Sequence, residues 1–427
     1  MSTPESLYRN AIDLNRYSNS VARRVINAYN DIILDSVNQL RAIDDLDESL
    51  KAARLRSIIA QLKESLATWA GDSTELTALE LQGLAELQSE FVEEQLKKVL
   101  PRGSRDIVRT VEISPQFAQS VVTTDPTQIN VVALSDDLFA AVQGAPQTFS
   151  LTAAEGAVIT LPNGQVVQKA FRGIAEDQAE LFGQAVRQGL LTGETTDEIA
   201  NRLKGKLRYQ QPGSVKQIAA KGGQATTVAN NQVVALVRTS INQVANAASQ
   251  QVYEANQDIT KKYRYVATLD SRTSAICRAL DGREFEYGKG PKPPQHFNCR
   301  STTVAVIDYD NLPFDPPPPG KRAAQGGMVP ADQSYGQWLA KPFDKETKDE
   351  HMLRKAEAFG FKGKRQKNES LDGFYERVKK SPAHQQSRYF DRLARKYGPK
   401  DAIAKLVRDD GSELTLQDLR RRYGKLD

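Results

Sequence analysis

The chain has 427 residues, of which 39% are hydrophobic and 26% charged, so it can build a folded core and is not a largely disordered protein. At roughly 100 to 200 residues per domain, this length predicts two to four folded units. The formal net charge of +5 is too small to indicate a partner by itself. Residues 341–427 hold 23 Lys and Arg against 15 Asp and Glu, whereas residues 1–340 hold 35 against 38. The basic excess is therefore C-terminal.

Neither a membrane segment nor a disulfide framework is expected. No run approaches the ~18 uninterrupted apolar residues that a membrane span needs, and the opening sequence MSTPESLYRN lacks the basic-then-apolar order of a secretory signal. The chain has only two cysteines, Cys277 and Cys299, which fits a reducing compartment. We therefore expect a soluble protein that is made in the cytoplasm and has no membrane partner.

Residues 1–104 are predicted to form an N-terminal helical region. Apolar residues at spacings of three and four predict the buried faces of two helices: Ile26, Tyr29, Ile33, Val37 and Leu40, then Leu55, Ile59, Leu62, Leu66 and Trp69. Residues 71–73 (GDS) are predicted to end one helix and cap the next, which Leu84, Leu87 and Phe91 continue as far as the break at Pro101. An antiparallel helical bundle is favoured over an intermolecular coiled coil, because no strict heptad persists.

Residues 105–171 are predicted to form a β-containing insert. Strand-like runs cover residues 130–134 and 157–161, and a turn at 162–164 (PNG) ahead of Val166 and Val167 predicts a hairpin. Helical character returns over 172–203, where residues 195–198 (TTDE) offer a helix start. Residues 204–228 are rich in Gly, Gln, Lys and Thr, which predicts an exposed loop or hinge.

A central domain is predicted over residues 172–310. Its strongest helix carries an apolar stripe at Val233, Val237, Ile241, Val244, Ala248 and Val252. Strands are predicted at 263–269 and 302–307, on either side of the segment that holds both cysteines.

The C-terminal third is predicted to be a linker followed by a basic region. Residues 311–333 form the linker, because residues 313–330 hold six of the 19 prolines and such stretches are extended. Residues 334–427 are a basic, helix-prone tail whose large apolar anchors are Trp338, Phe343, Phe359, Phe361, Tyr375, Phe390 and Tyr397. The predicted fold class is therefore α+β: a helical N-terminal region, a small β-containing insert, a central domain of helices and a short sheet, and a helix-prone tail.

Residues 268–303 concentrate the chemistry of the chain. Asp270 begins a turn whose backbone N–H groups its carboxylate can bind, and Gly282 suits a position with positive φ. Prolines at 291, 293 and 294 impose an extended approach to His296 and Cys299. The result is a stiff loop that could bring Cys277 beside Cys299.

Three interpretations of this cysteine pair stay open. Cys277, His296 and Cys299 supply three soft metal ligands, but their spacing matches no standard zinc pattern and no fourth ligand is evident. The cysteines could instead be buried free thiols, or could form a disulfide after release from the cell. A catalytic cysteine with His296 as its base is disfavoured, because no orienting group or oxyanion donor is identified. We expect no metal and no cofactor.

Four short motifs recur in a characteristic order: Arg238-Thr239 on a helix, then residues 268–273 (TLDSRT), 277–282 (CRALDG) and 294–300 (PQHFNCR). Together they resemble the phage Mu F-like head morphogenesis family, which comprises minor capsid proteins of tailed bacteriophages. The resemblance covers roughly residues 170–310.

The rest of the chain resembles this family less. Residues 334–339 (SYGQWL) are also similar to members of the family, residues 410–416 (DGSELTL) more weakly, and the first 100 residues only in being helical. Many relatives carry further cysteines at the positions of Ser274 and Ser301. If those versions hold a metal, this chain lacks half of the cysteine ligands.

The resemblance implies a protein present in few copies inside the phage head. It would be associated with the portal vertex and would act in procapsid assembly and in DNA packaging or ejection. The expected partners are the portal protein, a major capsid or scaffolding protein, and phage DNA through the basic tail. The residues expected to matter fix the central loop, and their role is structural: Arg238, Asp270, Arg272, Cys277, Gly282, Pro294, His296, Cys299 and Arg300.

Two rival functions are weaker. Glu284 and Glu286 form an E-x-E motif that, with Arg238 and Ser271 or Ser274, could be cast as an ADP-ribosyltransferase set, but Arg238 lies on a predicted helix where that fold needs a strand. The sequence has no P-loop, zincin, nucleophile-elbow or dinucleotide-binding motif, so we expect no enzyme. A scaffold or adaptor without a virion role is the remaining alternative.

Overall fold

The fold is known from a computed structural model, which combines long helices with short antiparallel strands. This confirms the predicted α+β class. The structure describes residues 3–114, 130–131, 149–150, 167–204, 224–313, 315–316, 320–408, 412–415, 417–418 and 421. Within these ranges no helix is both long and apolar enough to cross a membrane.

Five helices share the largest hydrophobic core. They are α1 (Thr3–Arg41), α2 (Glu48–Val99), α3 (Val167–Leu191), α4 (Thr196–Lys204) and α5 (Gln224–Ala255). The centre of this core is Trp69, whose ring lies 5.3 Å from Tyr29 and 5.8 Å from Phe171, centroid to centroid. The Trp69 Nε1 group donates to the Val25 carbonyl at 3.0 Å, so the one polar atom of the indole is satisfied.

The predicted apolar stripes are largely confirmed. All five residues of the first stripe are buried, as are Leu55, Leu62, Leu66 and Trp69 of the second. Ile58 takes the buried position expected of Ile59, and Leu87 is exposed. The predicted central helix is confirmed as α5, on which all six predicted apolar residues are buried.

The predicted helix break at residues 71–73 is wrong, because α2 runs without interruption from Glu48 to Val99. Its buried hydroxyls bond back to the helix, since Thr74 Oγ1 donates to the Ala70 carbonyl at 2.7 Å and Thr77 Oγ1 to the Ser73 carbonyl at 2.6 Å. Packing of this face against the other helices outweighs the weak helix propensity of Gly71 and its neighbours.

The β-containing insert is described only in part. Strands β1 (Asn130–Val131) and β2 (Phe149–Ser150) pair antiparallel, whereas the predicted strand at 157–161 and its turn lie outside the described residues. Val167 was expected in a hairpin but begins helix α3. The predicted start of α4 is confirmed, because Thr195 and Glu198 bond to each other's backbone N–H groups. Residues 205–223 of the predicted loop lie outside the described residues, and α5 begins at 224, earlier than expected.

A three-stranded antiparallel sheet carries the central segment. Its order is β4-β3-β5, with β3 (Thr260–Val266), β4 (Glu284–Glu286) and β5 (Thr302–Ile307). The two predicted strands are confirmed as β3 and β5, although residues 267–269 lie beyond β3, and β4 was missed because it has only three residues. Helix α5 is joined to β5 through Gln250, whose Nε2 donates to Thr303 Oγ1 at 2.9 Å.

The predicted extended linker is wrong over its second half. Strands β6 (Lys321–Ala324) and β7 (Gly327–Pro330) form an antiparallel hairpin, and Ala324 makes a parallel bridge with Leu269. The side chain of Tyr8 on α1 donates to the Ala331 carbonyl at 3.1 Å. This segment is therefore docked on both the central segment and the N-terminal helices.

The C-terminal region is a folded module of short helices, as its helix-prone sequence predicts. Helix α6 (Ala275–Leu280) belongs to the central segment, and the helices of the module are α7 (Tyr335–Ala340), α8 (Lys348–Ala358), α9 (Leu371–Lys379), α10 (Pro382–Tyr397) and α11 (Pro399–Ala404). The core of the module contains Trp338, Phe359 and Phe390, and it also includes Leu269 of the central segment. The domain boundaries remain a prediction. The hydrophobic cores contain residues from both sides of the predicted boundaries at 104, 171 and 333.

Candidate functional site around Cys277 and Cys299

Two chain segments bring the cysteines together. Helix α6 places Cys277 in its first turn, where the Cys277 N–H lies 3.4 Å from the Oγ of the N-cap residue Ser274. The second segment is the proline-rich loop, in which the Cys299 N–H donates to the His296 carbonyl at 3.2 Å. That turn requires a positive φ of 60° at Asn298. The two segments bring Cys277 beside Cys299, as the sequence predicts.

The side chains of Cys277, His296 and Cys299 form one cluster. The two Sγ atoms are 3.7 Å apart, and Cys277 Sγ lies 3.3 Å from His296 Nε2. Ser274 Oγ is 2.8 Å from the same Nε2 atom. Both cysteines are buried and free. The disulfide, one of the three interpretations of the pair, is therefore not present in this structure.

The two thiols differ in acidity because their surroundings differ. Burial raises the pKa of Cys277 well above its usual value, and the hydrogen bond with Cys299 adds to the effect. Burial also acts to raise the pKa of Cys299, but hydrogen bonds from Cys277 and His296 outweigh it and hold this pKa well below its usual value. Cys299 is therefore the thiol that ionises first.

Asp270 and Arg300 form a bidentate ion pair beside the cluster. Arg300 Nη1 lies 2.6 Å from Asp270 Oδ2, and Nη2 lies 2.9 Å from Oδ1. Burial acts to raise the pKa of Asp270, but the Arg300 guanidinium overcomes this and lowers it. Arg272 also pairs with Asp270, at 3.4 Å, yet its side chain is 70% exposed. Of these three residues, Arg272 contributes least to holding the loop.

Arg238 ties the loop to the N-terminal helices. Its Nη2 and Nε atoms donate to Asn19 Oδ1 on α1 at 2.6 and 3.1 Å, and its Nη1 lies 3.4 Å from Asn298 Oδ1. The neighbouring Thr239 accepts from the Asn298 N–H at 3.0 Å. Burial lowers the pKa of Arg238, and the nearby charges of Arg300 and Arg272 lower it further. The Arg238-Thr239 motif therefore positions the turn between His296 and Cys299.

The remaining predicted residues set the backbone of the loop. Gly282 has a φ of 77°, as its place after α6 predicts, and the Pro293–Pro294 peptide is cis. Pro294 lies at the approach to His296. All nine predicted residues thus lie on or against one loop, and the cysteines, His296, Asp270 and Arg300 form its interior.

Sequence reasoning missed a second set of charged residues. Asp281 accepts from the backbone N–H groups of Ala267 and Tyr335 at 2.7 and 2.6 Å, and it pairs with Arg322 of the hairpin. Asp281 belongs to the CRALDG motif, so a signal was present in the sequence. The sequence carried no such signal for Arg322, because a buried ion-pair partner is not expected in a proline-rich linker.

Arg278 is the other missed residue. Its guanidinium carbon lies 5.6 Å from the Tyr335 ring centre and 5.4 Å from that of Phe359, and it pairs with Glu413. It also donates to the Ala358 carbonyl. Burial lowers its pKa. Arg278 thereby joins the central loop to the C-terminal module.

Among the described residues, no contact links Glu284 or Glu286 of the E-x-E motif to the cysteine cluster. Glu284 pairs with Arg264 at 2.7 Å and Glu286 with Lys289 at 2.6 Å, both on the sheet surface. Arg238 lies on helix α5, as predicted.

Part of the chain matches a known protein family. Residues 180–304 match the family model described as Phage Mu protein F like protein. This segment of the chain is therefore similar to the phage Mu F-like family. The Mu F-like segment includes all nine predicted site residues and ends within β5, ahead of the hairpin and the C-terminal module. This family supports a role in bacteriophage head morphogenesis. No curated protein and no solved structure was found to match the chain.

Proposed function

We propose that this chain is a minor head protein that associates with the portal vertex inside the phage head. It would act in procapsid assembly and in DNA packaging or ejection. The observation that carries the proposal is the Mu F-like match over residues 180–304, which contains the whole cysteine loop. The proposed role is to bind and assemble, and not to catalyse.

The contacts of the charged residues in and around the central loop support a binding role. Asp270, Asp281, Arg300 and Arg322 are engaged in ion pairs that hold backbone segments together. Buried pairs of this kind specify one arrangement of chain segments, which is what a precise docking surface needs. The loop thus serves as a fixed centre, and the surfaces around it are available for partners.

Helix α2 offers an apolar surface for the portal protein. Leu79 and Leu87 are eight residues apart on this helix, which places them near one face, and their exposed fractions are 67% and 64%. At a rise of 1.5 Å per residue the 52-residue helix is about 78 Å long. Exposed leucines bind through the hydrophobic effect, which salt does not weaken.

The C-terminal module offers a cationic surface for DNA. Lys362, Lys364, Arg365 and Lys367 are all exposed and lie within six residues of chain. On α10, the exposed residues Arg388, Arg392 and Arg395 recur at helical spacing opposite the buried Phe390. Phosphate neutralisation by such groups releases counterions, so binding would weaken steeply with salt.

Pull-down of the full chain with its neighbouring portal protein, at low and high salt and with DNA as parallel bait, tests the proposal. We expect portal binding that survives high salt and is lost in a Leu79→Gln, Leu87→Gln variant. The matched control is Leu371→Gln, which alters an exposed leucine on α9.

The location of the protein supplies a second test. Purified, nuclease-treated particles should contain the chain, whereas a cytoplasmic scaffold would be left behind. Absence from particles together with loss of portal binding at all salt concentrations would refute the proposed role.

A further inference from the structure

Two of the three ligand–ligand distances in the cysteine cluster are close to those of a tetrahedral metal site. With Zn–S near 2.3 Å and Zn–N near 2.0 Å, a tetrahedral site has edges of about 3.8 Å between two sulfurs and about 3.5 Å between sulfur and nitrogen. The observed distances are 3.7 Å between Cys277 Sγ and Cys299 Sγ, and 3.3 Å between Cys277 Sγ and His296 Nε2. All three ligand atoms lie within 4.8 Å of one another.

The imidazole of His296 is oriented as a metal ligand. Its Nδ1 lies 2.8 Å from the Phe297 carbonyl oxygen, which can only accept, so Nδ1 carries the proton. In the neutral ring this leaves the lone pair on Nε2, the nitrogen that faces both sulfurs. Metal-bound histidines are held in this way by a backbone carbonyl or carboxylate on the distal nitrogen.

The charge and burial of the cluster favour a divalent ion. Two thiolates with a neutral imidazole carry a charge of −2, which one divalent cation cancels within a buried site. Thiolate and imidazole ligands in tetrahedral geometry select zinc over the hard cations Mg²⁺ and Ca²⁺. The Ser274 hydroxyl borders the cluster, 2.8 Å from Nε2, and could hold a water molecule as the fourth ligand.

We propose that Cys277, His296 and Cys299 bind one Zn²⁺ ion. The ion links the first turn of α6 to the turn between His296 and Cys299, so its role is to fasten the two segments of the loop. This site is independent of the proposed head function, and it can be tested on the purified full chain without any partner. Free buried thiols and a disulfide are the competing states.

Metal content and cobalt substitution provide the test. The full chain, purified under reducing conditions without chelator, should contain about one zinc per chain by elemental analysis. After removal of zinc, Co²⁺ should give the intense visible absorption of a tetrahedral site and a thiolate-to-cobalt charge-transfer band. Zinc should also protect both thiols from a thiol reagent.

Variants assign the ligands. Cys299→Ser and His296→Gln should each raise the dissociation constant for Zn²⁺ by more than the about 10- to 100-fold that loss of an outer-shell partner costs. His351→Gln is the matched control, because His351 bonds only a backbone carbonyl in the C-terminal module among its described contacts. Ser274→Cys should lower the dissociation constant by about tenfold or more, since it adds a third thiolate to the cluster.

The cobalt spectrum of the unaltered protein keeps the test decisive if a variant fails to fold. A folded, reduced chain that gives no tetrahedral cobalt spectrum would overturn the proposal. The same holds if Co²⁺ binds equally well to Cys299→Ser and to the unaltered chain.

Discussion

Arg322 and Asp281 form an ion pair that is almost completely withdrawn from solvent. Arg322 Nη2 lies 3.1 Å from Asp281 Oδ1, and the exposed fractions of the two side chains are 4% and 0%. The Arg322 guanidinium carbon also lies 5.3 Å from the ring centre of Tyr8 on α1. This pair therefore joins the hairpin, the Mu F-like segment and the N-terminal helix at one point.

Changing Asp281 to Asn should destabilise the protein strongly. The variant leaves the Arg322 charge buried without its partner, and loss of one member of a buried pair costs about 3 to 5 kcal/mol. Glu284→Gln is the control, because the Arg264–Glu284 pair is 35% exposed on both sides and is worth less than about 1 kcal/mol. Free energies of unfolding from urea titration distinguish the two, and equal losses would contradict the argument.

The sequence predicts helical faces well and long-range polar contacts poorly. Stripes such as Ile26 to Leu40 are visible because a buried helix face repeats every three or four residues. The approach of Cys277 to Cys299 was also predictable, because proline and glycine restrict the backbone between them. Arg322 could not be assigned, since its partner is 41 residues away and a lone arginine in a proline-rich stretch carries no periodic signal.

At Gly71 the sequence predicted a feature that the structure lacks. Local turn propensity predicted a helix break there, and tertiary packing prevents it. Gly71→Ala should therefore raise stability by about 0.5 to 1 kcal/mol, since Gly71 lies in the interior of α2 and a Cβ there would meet nothing within 4 Å. Thermal unfolding followed by circular dichroism measures the change. A fall in stability would indicate that the helix is broken at this residue after all.

Gly336→Ala is the matched comparison for that glycine. A Cβ at Gly336 would overlap the carbonyl oxygen of Pro399, because α7 and α11 approach each other closely there. Overpacking of this kind costs about 1 to 3 kcal/mol. The same chemical change should thus act in opposite directions at the two sites.

Glu346 should make the C-terminal module sensitive to acid. It accepts from Arg354 Nε at 2.8 Å, from Arg354 Nη2 at 3.0 Å and from the Phe343 N–H at 2.9 Å. Burial acts to raise its pKa, but the hydrogen bonds from Arg354 and Phe343 outweigh burial and lower it. Because the pKa of Glu346 is lower in the folded state, this group stabilises the fold at pH values above its unfolded pKa of about 4.3. That stabilisation is lost as the pH falls through the folded-state pKa.

Glu346→Gln should therefore cost about 1.5 to 3 kcal/mol at neutral pH, the range for hydrogen bonds to a charged group, and much less in acid. The difference in unfolding free energy between the unaltered chain and the variant, followed from pH 7 to about 3, reports this group alone. Glu376→Gln is the control, because its pair with Lys379 is exposed. A difference that stays constant with pH would show that Glu346 does not titrate as described.

The basic segment of the C-terminal module should determine the salt dependence of any DNA binding. Replacing Lys362, Lys364, Arg365 and Lys367 with Gln removes four exposed cations. If all four contact phosphates, the slope of log affinity against log salt should become shallower by about 3.6, since each phosphate contact on duplex DNA contributes about 0.9.

A control with the same loss of charge separates local contact from net charge. Replacing Arg23, Arg54, Arg56 and Lys63 with Gln removes four exposed cations from the N-terminal helices. Fluorescence anisotropy with a random-sequence duplex at several salt concentrations should show the original slope for this control. Equal slopes in both variants would place DNA binding elsewhere or reduce it to a general effect of net charge, because contact-specific counterion release requires the slope to follow the residues that touch phosphate.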